Sequence, residues 1–366
     1  MDNKLDQIKS AVSKLFVNEN ENYIFIYTPP KVGSTTLVSS LRISLGRSYN
    51  IIHIHDEVML SVLTGVTNVT INDIIHYLSN QQKNVYVIDV YRSPIERKMS
   101  EFFEKISPYH FNNTDANIKN YTSSRIINRF NKLFPHLGKG DHYFEKYDIN
   151  QPIAFDFIKK YSLQEINKIK YIKLRLCDAN LWHSILSEIL RSDIVIINDY
   201  STDNKSIGEL YKKIKQEYRL PSNFLDLIKN CPYFNFYYNE EERNRYILEW
   251  SNKLYEDVMP YTENEYKFYV NLYLENQYIN DIQTDHYIDN GCLCKFCIKS
   301  RKNIYFRAKK GETHFEKILH TEVVNEEMNI INKNINEKLI EVIKSKKTRG
   351  KYKPKQFAIH TVNNNR

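Results

Sequence analysis

The stretch NYIFIYTPPKVGSTTLVSSLRISL, residues 22–45, gives the strongest indication of the fold of this chain. It opens with an apolar and aromatic run that stops at Pro29 and Pro30, a pattern that predicts a buried strand ended by prolines. The second half places leucine and valine on one side at helical spacing, and Ser34 or Thr35 is a suitable N-cap. The stretch therefore predicts a strand, a phosphate-type loop and a helix.

Strands and helices alternate outward from this unit. NIIHIH at 50–55 and NVYVIDVY at 84–91 read as further strands, and residues 71–80 read as a helix. The alternation predicts an α/β fold: a three-layer, P-loop-type parallel sheet flanked by helices, with ligands bound at the carboxyl ends of the strands. The residues expected at that edge are Lys31, His55 and Arg92.

The rest of the chain predicts a large α/β domain followed by an extension. The expected elements are a helix at 93–105, an irregular substrate-facing insertion at 107–150, strands at 171–176 and 193–198 around a helix at 179–191, and further helices from 207. We expect the α/β domain to span residues 1–275. Residues 276–366 are then a mainly helical, basic C-terminal extension with a flexible end.

The net charge of +8 is confined to the C-terminal quarter. Residues 276–366 contain 18 basic and 10 acidic side chains, whereas residues 1–275 contain 34 of each. An anion site in the neutral body must therefore be a local pocket. The segment KSKKTRGKYKPK at 344–355 either contacts an anionic polymer through counterion release or stays solvated.

Composition excludes several classes of protein. With 42% hydrophobic residues, the chain has enough apolar side chains for a sizeable core. It has no apolar run long enough to span a membrane, and its first sixteen residues mix charged and apolar types, so neither a transmembrane segment nor a signal peptide is expected. Five cysteines are too few for a disulfide framework, which indicates a reducing compartment and a cytoplasmic location.

The motif TPPKVGSTTL, residues 28–37, differs from a Walker A loop, in which the lysine follows the second glycine. Here Lys31 precedes the motif's single glycine, Gly33, which disfavours ordinary ATP or GTP hydrolysis. Gly33 permits a tight turn, and the backbone N–H groups and hydroxyls at the start of the helix form an anion cradle beside the lysine charge. The alternative is a capped helix with an exposed lysine.

A second cluster, YRSPIERKMSEFF, occupies residues 91–103. Arg92 leaves the end of an apolar strand, and Ser100 follows about two helical turns later, so both can face one tetrahedral anion. The alternative is a helix whose Glu96, Arg97 and Lys98 form ordinary surface ion pairs.

Together the two clusters resemble the sulfotransferase superfamily, which carries PKxGxTxL after its first strand and RxPxxRxxSxF after a later one. The resemblance implies a sulfotransferase that binds 3′-phosphoadenosine 5′-phosphosulfate and requires no metal. It assigns Lys31 to the leaving phosphate. The residues that it assigns to the 5′-phosphosulfate loop are Lys31, Val32, Gly33, Ser34, Thr35 and Thr36, and those for the 3′-phosphate are Arg92 and Ser100.

Residues 219–250, RLPSNFLDLIKNCPYFNFYYNEEERNRYILEW, are similar to a capsular polysaccharide synthesis family of sulfotransferase-like proteins found in microbes. The likeness extends over roughly residues 20–255 and implies a hydroxyl-bearing acceptor, in particular a carbohydrate. In the late strand and helix the expected acidic residue is displaced to Asp178. A nucleotide-dependent kinase or phosphotransferase with a divergent loop and a non-catalytic anion-binding protein remain as alternatives.

The second strand ends in candidates for the base that activates the acceptor hydroxyl. His53 and His55 point to the same face of a strand, and Asp56 and Glu57 follow them. The resemblance implies a histidine or glutamate base here, and we favour His55 because it is nearer the rim. Glu57 is the rival base, and two structural histidines are the alternative.

The segment CLCKFC, residues 292–297, brings three cysteines close together. We predict unlinked thiols, with a structural zinc site as the alternative. The thiols are Cys292, Cys294 and Cys297, and the possible fourth ligands are His286, His314 and Cys231.

Overall fold

A computed structural model of the chain describes residues 2–16, 19–104, 106–199, 206–273, 294–316 and 318. The helices are α1 (Asp2–Leu15), α2 (Ser34–Leu45), α3 (Glu57–Thr64), α4 (Ile71–Asn80), α5 (Pro94–Phe102), α6 (Asp115–Ile118), α7 (Ser123–Leu133), α8 (His142–Glu145), α9 (Trp182–Leu190), α10 (Gly208–Glu217), α11 (Ser222–Lys229), α12 (Pro232–Tyr237), α13 (Glu240–Ser251), α14 (Glu263–Tyr273) and α15 (Lys295–Lys309). The strands are β1 (Asn22–Tyr27), β2 (Asn50–Ile54), β3 (Asn84–Tyr91), β4 (Ser162–Ile166), β5 (Ile169–Arg175), β6 (Leu220–Pro221) and β7 (Leu254–Tyr255).

The main sheet has five strands in the order β2-β1-β3-β5-β4. Four of them run parallel, and only the edge strand β4 is antiparallel to its neighbour β5. Val- and Ile-rich strands such as β3 occupy the centre because both of their faces are buried. The predicted α/β fold with a mostly parallel sheet is confirmed.

Helices cover both faces of this sheet, because alternate residues of each strand point to opposite sides. One layer is formed with α2 and α9, and the other with α1, α3 and α4. Side chains of the first layer include Ile24, Ile26, Leu37, Leu41, Ile88, Trp182 and Leu186. Side chains of the second include Ala11, Phe25, Tyr27, Leu60, Ile74, Leu78 and Val87.

The chain leaves β1 toward β2 on one side, whereas β3 pairs with the opposite edge of β1 and continues toward β5. Connections that diverge in this way open a crevice beyond the carboxyl ends of the two strands, which is where open α/β sheets bind their ligands. The loop after β1 and Arg92 after β3 both follow the carboxyl ends of these strands, where the topology places the crevice.

The predicted strand at 193–198 is wrong, because this segment forms no strand. Its backbone bonds to side chains of α2 instead: the N–H of Val195 donates to Ser44 Oγ over 2.9 Å, and that of Ile197 to Ser40 Oγ over 3.0 Å. The serines of α2 thus replace a neighbouring strand as hydrogen-bond partners.

The prediction that residues 107–150 are irregular is also wrong, because they contain α6, α7 and α8. That they face the substrate stays a prediction. Thr114 and Thr122 cap the first two of these helices with their side chains. Phe130 and Phe134 are buried in the main core, so the segment is part of the folded body.

Helix α15 lies within the predicted C-terminal extension and packs Cys297 and Ile304 against Ile43 of α2. The predicted contact of residues 344–355 with an anionic polymer, and the flexible end, fall outside the described residues. Within the described part of the chain, no helix combines the length and apolar character needed to cross a bilayer.

Candidate functional site

The loop between β1 and α2 has two residues in the left-handed region, Lys31 with φ of 67° and Gly33 with φ of 92°. A Cβ on Gly33 would lie 2.9 Å from Leu176 Cδ1 and 3.2 Å from Trp182, so glycine is required for both conformation and space. Gly33 is the N-cap of α2, and no side chain caps the first turn. The positive end of α2 therefore lies at the crevice.

Arg92 reaches this loop from the end of β3. Its Nη1 donates a hydrogen bond to the carbonyl oxygen of Lys31 over 2.9 Å. The guanidinium is half-buried and, among the described residues, pairs with no carboxylate. Two clusters 61 residues apart in sequence therefore meet at one edge of the sheet, as the sequence predicts.

The ammonium group of Lys31 forms an ion pair with the carboxylate of Glu104, which follows the end of α5. The Lys31 side chain is 13% exposed and that of Glu104 is 34% exposed. The cation of the loop is therefore held beside an internal carboxylate that sequence analysis did not identify.

The hydroxyl groups assigned to the anion cradle differ in what they contact. Within the described residues, the side chains of Ser34, Thr35 and Ser100 have no hydrogen-bond partner, and Ser34 and Ser100 are buried. Thr36 instead donates to the carbonyl of Asp199 over 3.0 Å. Val32 is fully buried in the apolar layer between the sheet and α2, which anchors the loop.

Helix α5 also holds the glycine-containing loop 137–140. Arg97 is buried and donates to the carbonyls of Gly140 and Lys139 over 2.8 and 2.9 Å. Lys98 donates to the carbonyl of Leu137, and burial lowers the pKa of its ammonium group to about 8. The alternative of ordinary surface ion pairs is therefore wrong for these two residues.

His55 lies at the rim of the sheet, one residue beyond β2. Its Nδ1 is 2.6 Å from the carbonyl oxygen of Thr28, and because a carbonyl only accepts, Nδ1 carries the hydrogen. Burial, which outweighs that hydrogen bond, lowers the pKa of His55 to about 4. At neutral pH the ring is therefore uncharged, with the lone pair on Nε2. The ring centre of His53 is 4.5 Å away, so the two histidines share a face.

The acidic residues that follow have different surroundings. Asp56 is the N-cap of α3 and accepts from the N–H of Met59 over 2.8 Å. Glu57 accepts from the hydroxyl of Tyr27 over 3.2 Å, and Lys146 Nζ lies 3.9 Å from its other oxygen. The surroundings thus give Asp56 a structural role and leave Glu57 half-buried near the rim.

His142 is a rim residue that sequence analysis missed. Its Nε2 lies 2.6 Å from the carbonyl oxygen of His55, and its ring meets that of Tyr27 edge-on at 4.8 Å. The segment HLGKGDH, with its two glycines and two histidines, was the available signal.

A buried ion cluster lies beneath this rim. Lys173 Nζ donates to Asp89 and to Asp141, each over 2.6 Å, and all three side chains are at most 1% exposed. Asp89 also accepts from Thr28 Oγ1 over 2.6 Å, and Asp141 accepts from Tyr237 over 2.9 Å. Burial raises the pKa of Asp141 despite the nearby ammonium group. The sequence indicates such a cluster by placing charged residues, Asp89 and Lys173, inside the apolar strands VYVIDVY and YIKLRL.

Comparison of the chain with models of protein families, with curated proteins and with solved structures finds no match.

Asp178 belongs to a separate ion-pair cluster at the end of β5. Its carboxylate accepts from Arg175 Nε over 2.6 Å, and the same guanidinium binds both oxygens of Glu242 over 2.7 and 2.9 Å. Although burial opposes it, the Arg175 contact lowers the pKa of Glu242 to about 2. Asp178 therefore has a structural role, which is to orient the buried guanidinium of Arg175.

The described part of the cysteine cluster lies at the start of α15. The N–H of Cys297 points to Cys294 Sγ at 3.4 Å. Across the described residues, no three His, Cys, Asp or Glu side chains are placed to hold a metal ion. Cys292 and His286 fall outside the described residues, so the zinc alternative stays a prediction.

Proposed function

We propose that this protein is a sulfotransferase that moves a sulfuryl group from 3′-phosphoadenosine 5′-phosphosulfate to a hydroxyl acceptor. The observation that carries the proposal is the 2.9 Å hydrogen bond between Arg92 and the backbone of Lys31 at the crevice. It brings both motifs of the resemblance to the topological switch point of the sheet. The loop, Gly33 and the N-terminal end of α2 then act as a P-loop-type anion cradle.

Each end of the nucleotide is assigned its own donors. Lys31 and the first N–H groups of α2 bind the 5′-phosphosulfate, with Ser34 and Thr35 as hydroxyl donors. Arg92 and Ser100 bind the 3′-phosphate, for which the guanidinium offers a planar pair of N–H groups. The half-buried setting of Arg92 strengthens this contact relative to one in open water.

Transfer requires a base on the acceptor and a cation at the leaving group. Nε2 of His55 takes the proton of the acceptor hydroxyl as its oxygen bonds to sulfur. The bond from sulfur to the bridging phosphate oxygen breaks, and its electron pair stays on that oxygen beside Lys31. Adenosine 3′,5′-bisphosphate and a sulfate ester are the products. The resemblance favours a carbohydrate hydroxyl as acceptor.

Calorimetry with adenosine 3′,5′-bisphosphate, AMP and ATP tests the proposal without knowledge of the acceptor. We expect the bisphosphate to bind at least tenfold more tightly than AMP, because only it engages both clusters. ATP with Mg²⁺ should show no advantage. Equal affinities for all three nucleotides, or the tightest binding for ATP with Mg²⁺, would rule out the proposed donor.

A further inference from the structure

Glu104 places a carboxylate next to the lysine of the anion cradle. It lies one turn beyond Ser100, just after the end of α5, and forms the ion pair with Lys31 described above. With 13% and 34% of the two side chains exposed, the pair is only partly screened by solvent. The carboxylate is therefore the nearest internal competitor for the charge that a bound anion would use.

Contacts other than the Lys31–Glu104 ion pair hold the loop after β1 in place. The backbone of Lys31 is already fixed by Arg92 through its carbonyl oxygen, and Val32 is fully buried. Glu101 of α5 accepts from the N–H of Gly138 over 2.8 Å and so contacts the loop 137–140. The two carboxylates lie three residues apart, but Glu104 contacts Lys31 whereas Glu101 contacts Gly138.

We propose that Glu104 is a specificity-determining residue that acts as an internal anion in competition with the 5′-phosphate group of the ligand. A ligand that reaches Lys31 must displace this carboxylate or accept its repulsion, so anions that bind weakly are rejected. An anion held by Arg92 alone avoids that competition. The inference rests on the proposed function in taking Lys31 as the 5′-phosphate site.

The test compares Glu104→Gln with wild type in calorimetry with 5′-AMP, 3′-AMP and inorganic pyrophosphate. The matched control is Glu101→Gln, which makes the same charge change on the same segment and keeps an acceptor for Gly138. We expect Glu104→Gln to bind 5′-AMP and pyrophosphate about fivefold more tightly and 3′-AMP less than twofold more tightly. Glu101→Gln should change all three affinities by less than twofold.

Different results separate the inference from the proposed function. If wild type shows no preference for adenosine 3′,5′-bisphosphate but Glu104→Gln still tightens pyrophosphate, the sulfotransferase proposal fails and the competing role of Glu104 stands. Unchanged or weaker binding of 5′-AMP and pyrophosphate by Glu104→Gln overturns the competing role. Equal tightening by Glu101→Gln overturns it as well, because the effect would then be one of overall charge.

Discussion

The ring nitrogen Nε2 of His142 lies 2.6 Å from the carbonyl oxygen of His55. Because the carbonyl can only accept, His142 donates, and the segment 136–147 is thereby bonded to the end of β2. The neighbouring Tyr147 makes a similar contact, donating from its hydroxyl to the carbonyl of Tyr27 over 2.7 Å. The segment 136–147 is thus bonded to the backbone of the candidate base, whose ring is held by the carbonyl oxygen of Thr28.

Replacement of the candidate base should separate chemistry from nucleotide binding. Under the proposed function, we expect His55→Gln to lower kcat about 100-fold or more, because general-base catalysis contributes on that order. Binding of adenosine 3′,5′-bisphosphate should change less than threefold. Because the pKa of His55 is lowered to about 4, the wild-type rate should not fall between pH 8 and pH 6. Initial rates and calorimetry measure both quantities.

The matched variant for this experiment is Glu57→Gln. Glu57 accepts from Tyr27 and lies near Lys146, so its loss should alter kcat less than tenfold if His55 is the base. A larger loss for Glu57→Gln than for His55→Gln would assign the base to Glu57 instead. Circular dichroism of both variants checks that each remains folded.

Arg92→Ala should weaken ligands that carry a 3′-phosphate. We expect a loss of about tenfold to 100-fold for adenosine 3′,5′-bisphosphate, since a hydrogen bond to a charged group contributes about 1.5–3 kcal/mol. AMP should lose clearly less, because Arg92 acts on the 5′-phosphate site only through its hydrogen bond to the backbone of Lys31. Arg92→Lys keeps the charge but not the planar fork, and we expect an intermediate affinity. Equal weakening of both nucleotides by Arg92→Ala would contradict the assignment of Arg92 to the 3′-phosphate.

Gly33→Ala should destabilise the fold more than an ordinary left-handed glycine does. An alanine here must adopt φ of 92°, and its Cβ would lie 2.9 Å from Leu176 Cδ1. We therefore expect a loss of about 2–3 kcal/mol in the free energy of unfolding. Gly65→Ala is the control, because Gly65 has φ of 66° with nothing closer than 3.9 Å. Gly65→Ala should lower the free energy of unfolding by about 1 kcal/mol. Equal losses in urea denaturation would contradict the steric argument.

The sequence was sufficient for the central strands and for the meeting of the two motifs. Apolar runs such as 84–91 specify buried strands, and parallel topology then places Lys31 and Arg92 at one edge. The segment 193–198 has the same composition as a buried strand, but its backbone is satisfied by serine hydroxyls of α2. An apolar composition predicts that a segment is buried, but it does not predict which groups accept the hydrogen bonds of its backbone N–H groups.

The contacts that could not be predicted join residues far apart in sequence. Asp141 meets Lys173 across 32 residues, and Lys31 meets Glu104 across 73. The first pair depends on how residues 107–150 fold back over the sheet, and the second on where α5 ends relative to the loop after β1. Local periodicity encodes neither. A charged residue inside an apolar strand, such as Lys173, signals that a partner exists without identifying it.

Lys173→Met should be strongly destabilising at neutral pH. It leaves the carboxylates of Asp89 and Asp141 buried without their cation, and loss of one partner of a buried pair costs about 3–5 kcal/mol. The unpaired carboxylates should have raised pKa values in the folded variant, so its loss of stability relative to wild type should be smallest at low pH and grow as the pH rises. Urea denaturation between pH 4 and pH 8 measures this.

Lys170→Met provides the control for that experiment. Lys170 lies on the same strand, β5, but is half-buried on the opposite face, 5.4 Å from the ring centre of Tyr86. We expect it to cost less than about 1 kcal/mol, with no added dependence on pH. A Lys173→Met variant that is no less stable than Lys170→Met at pH 7 would show that the buried cluster does not need its cation.

The wild-type protein should lose stability in mild acid because of His110. Its ring stacks on Phe102 at 4.6 Å, and its Nδ1 is 2.6 Å from the hydroxyl of Tyr269. Burial lowers the pKa of His110 from 6.5 to about 3, so the unfolded state binds the proton more readily and stability falls as the pH drops below 6.5. This histidine alone should lower the free energy of unfolding by about 3 kcal/mol between pH 6.5 and pH 4.

His110→Phe keeps the stacking on Phe102 and should flatten that part of the stability profile. The control is His76→Gln, because the side chain of His76 is 34% exposed, and it should leave the profile unchanged. An unchanged slope in His110→Phe would mean that other groups cause the acid loss.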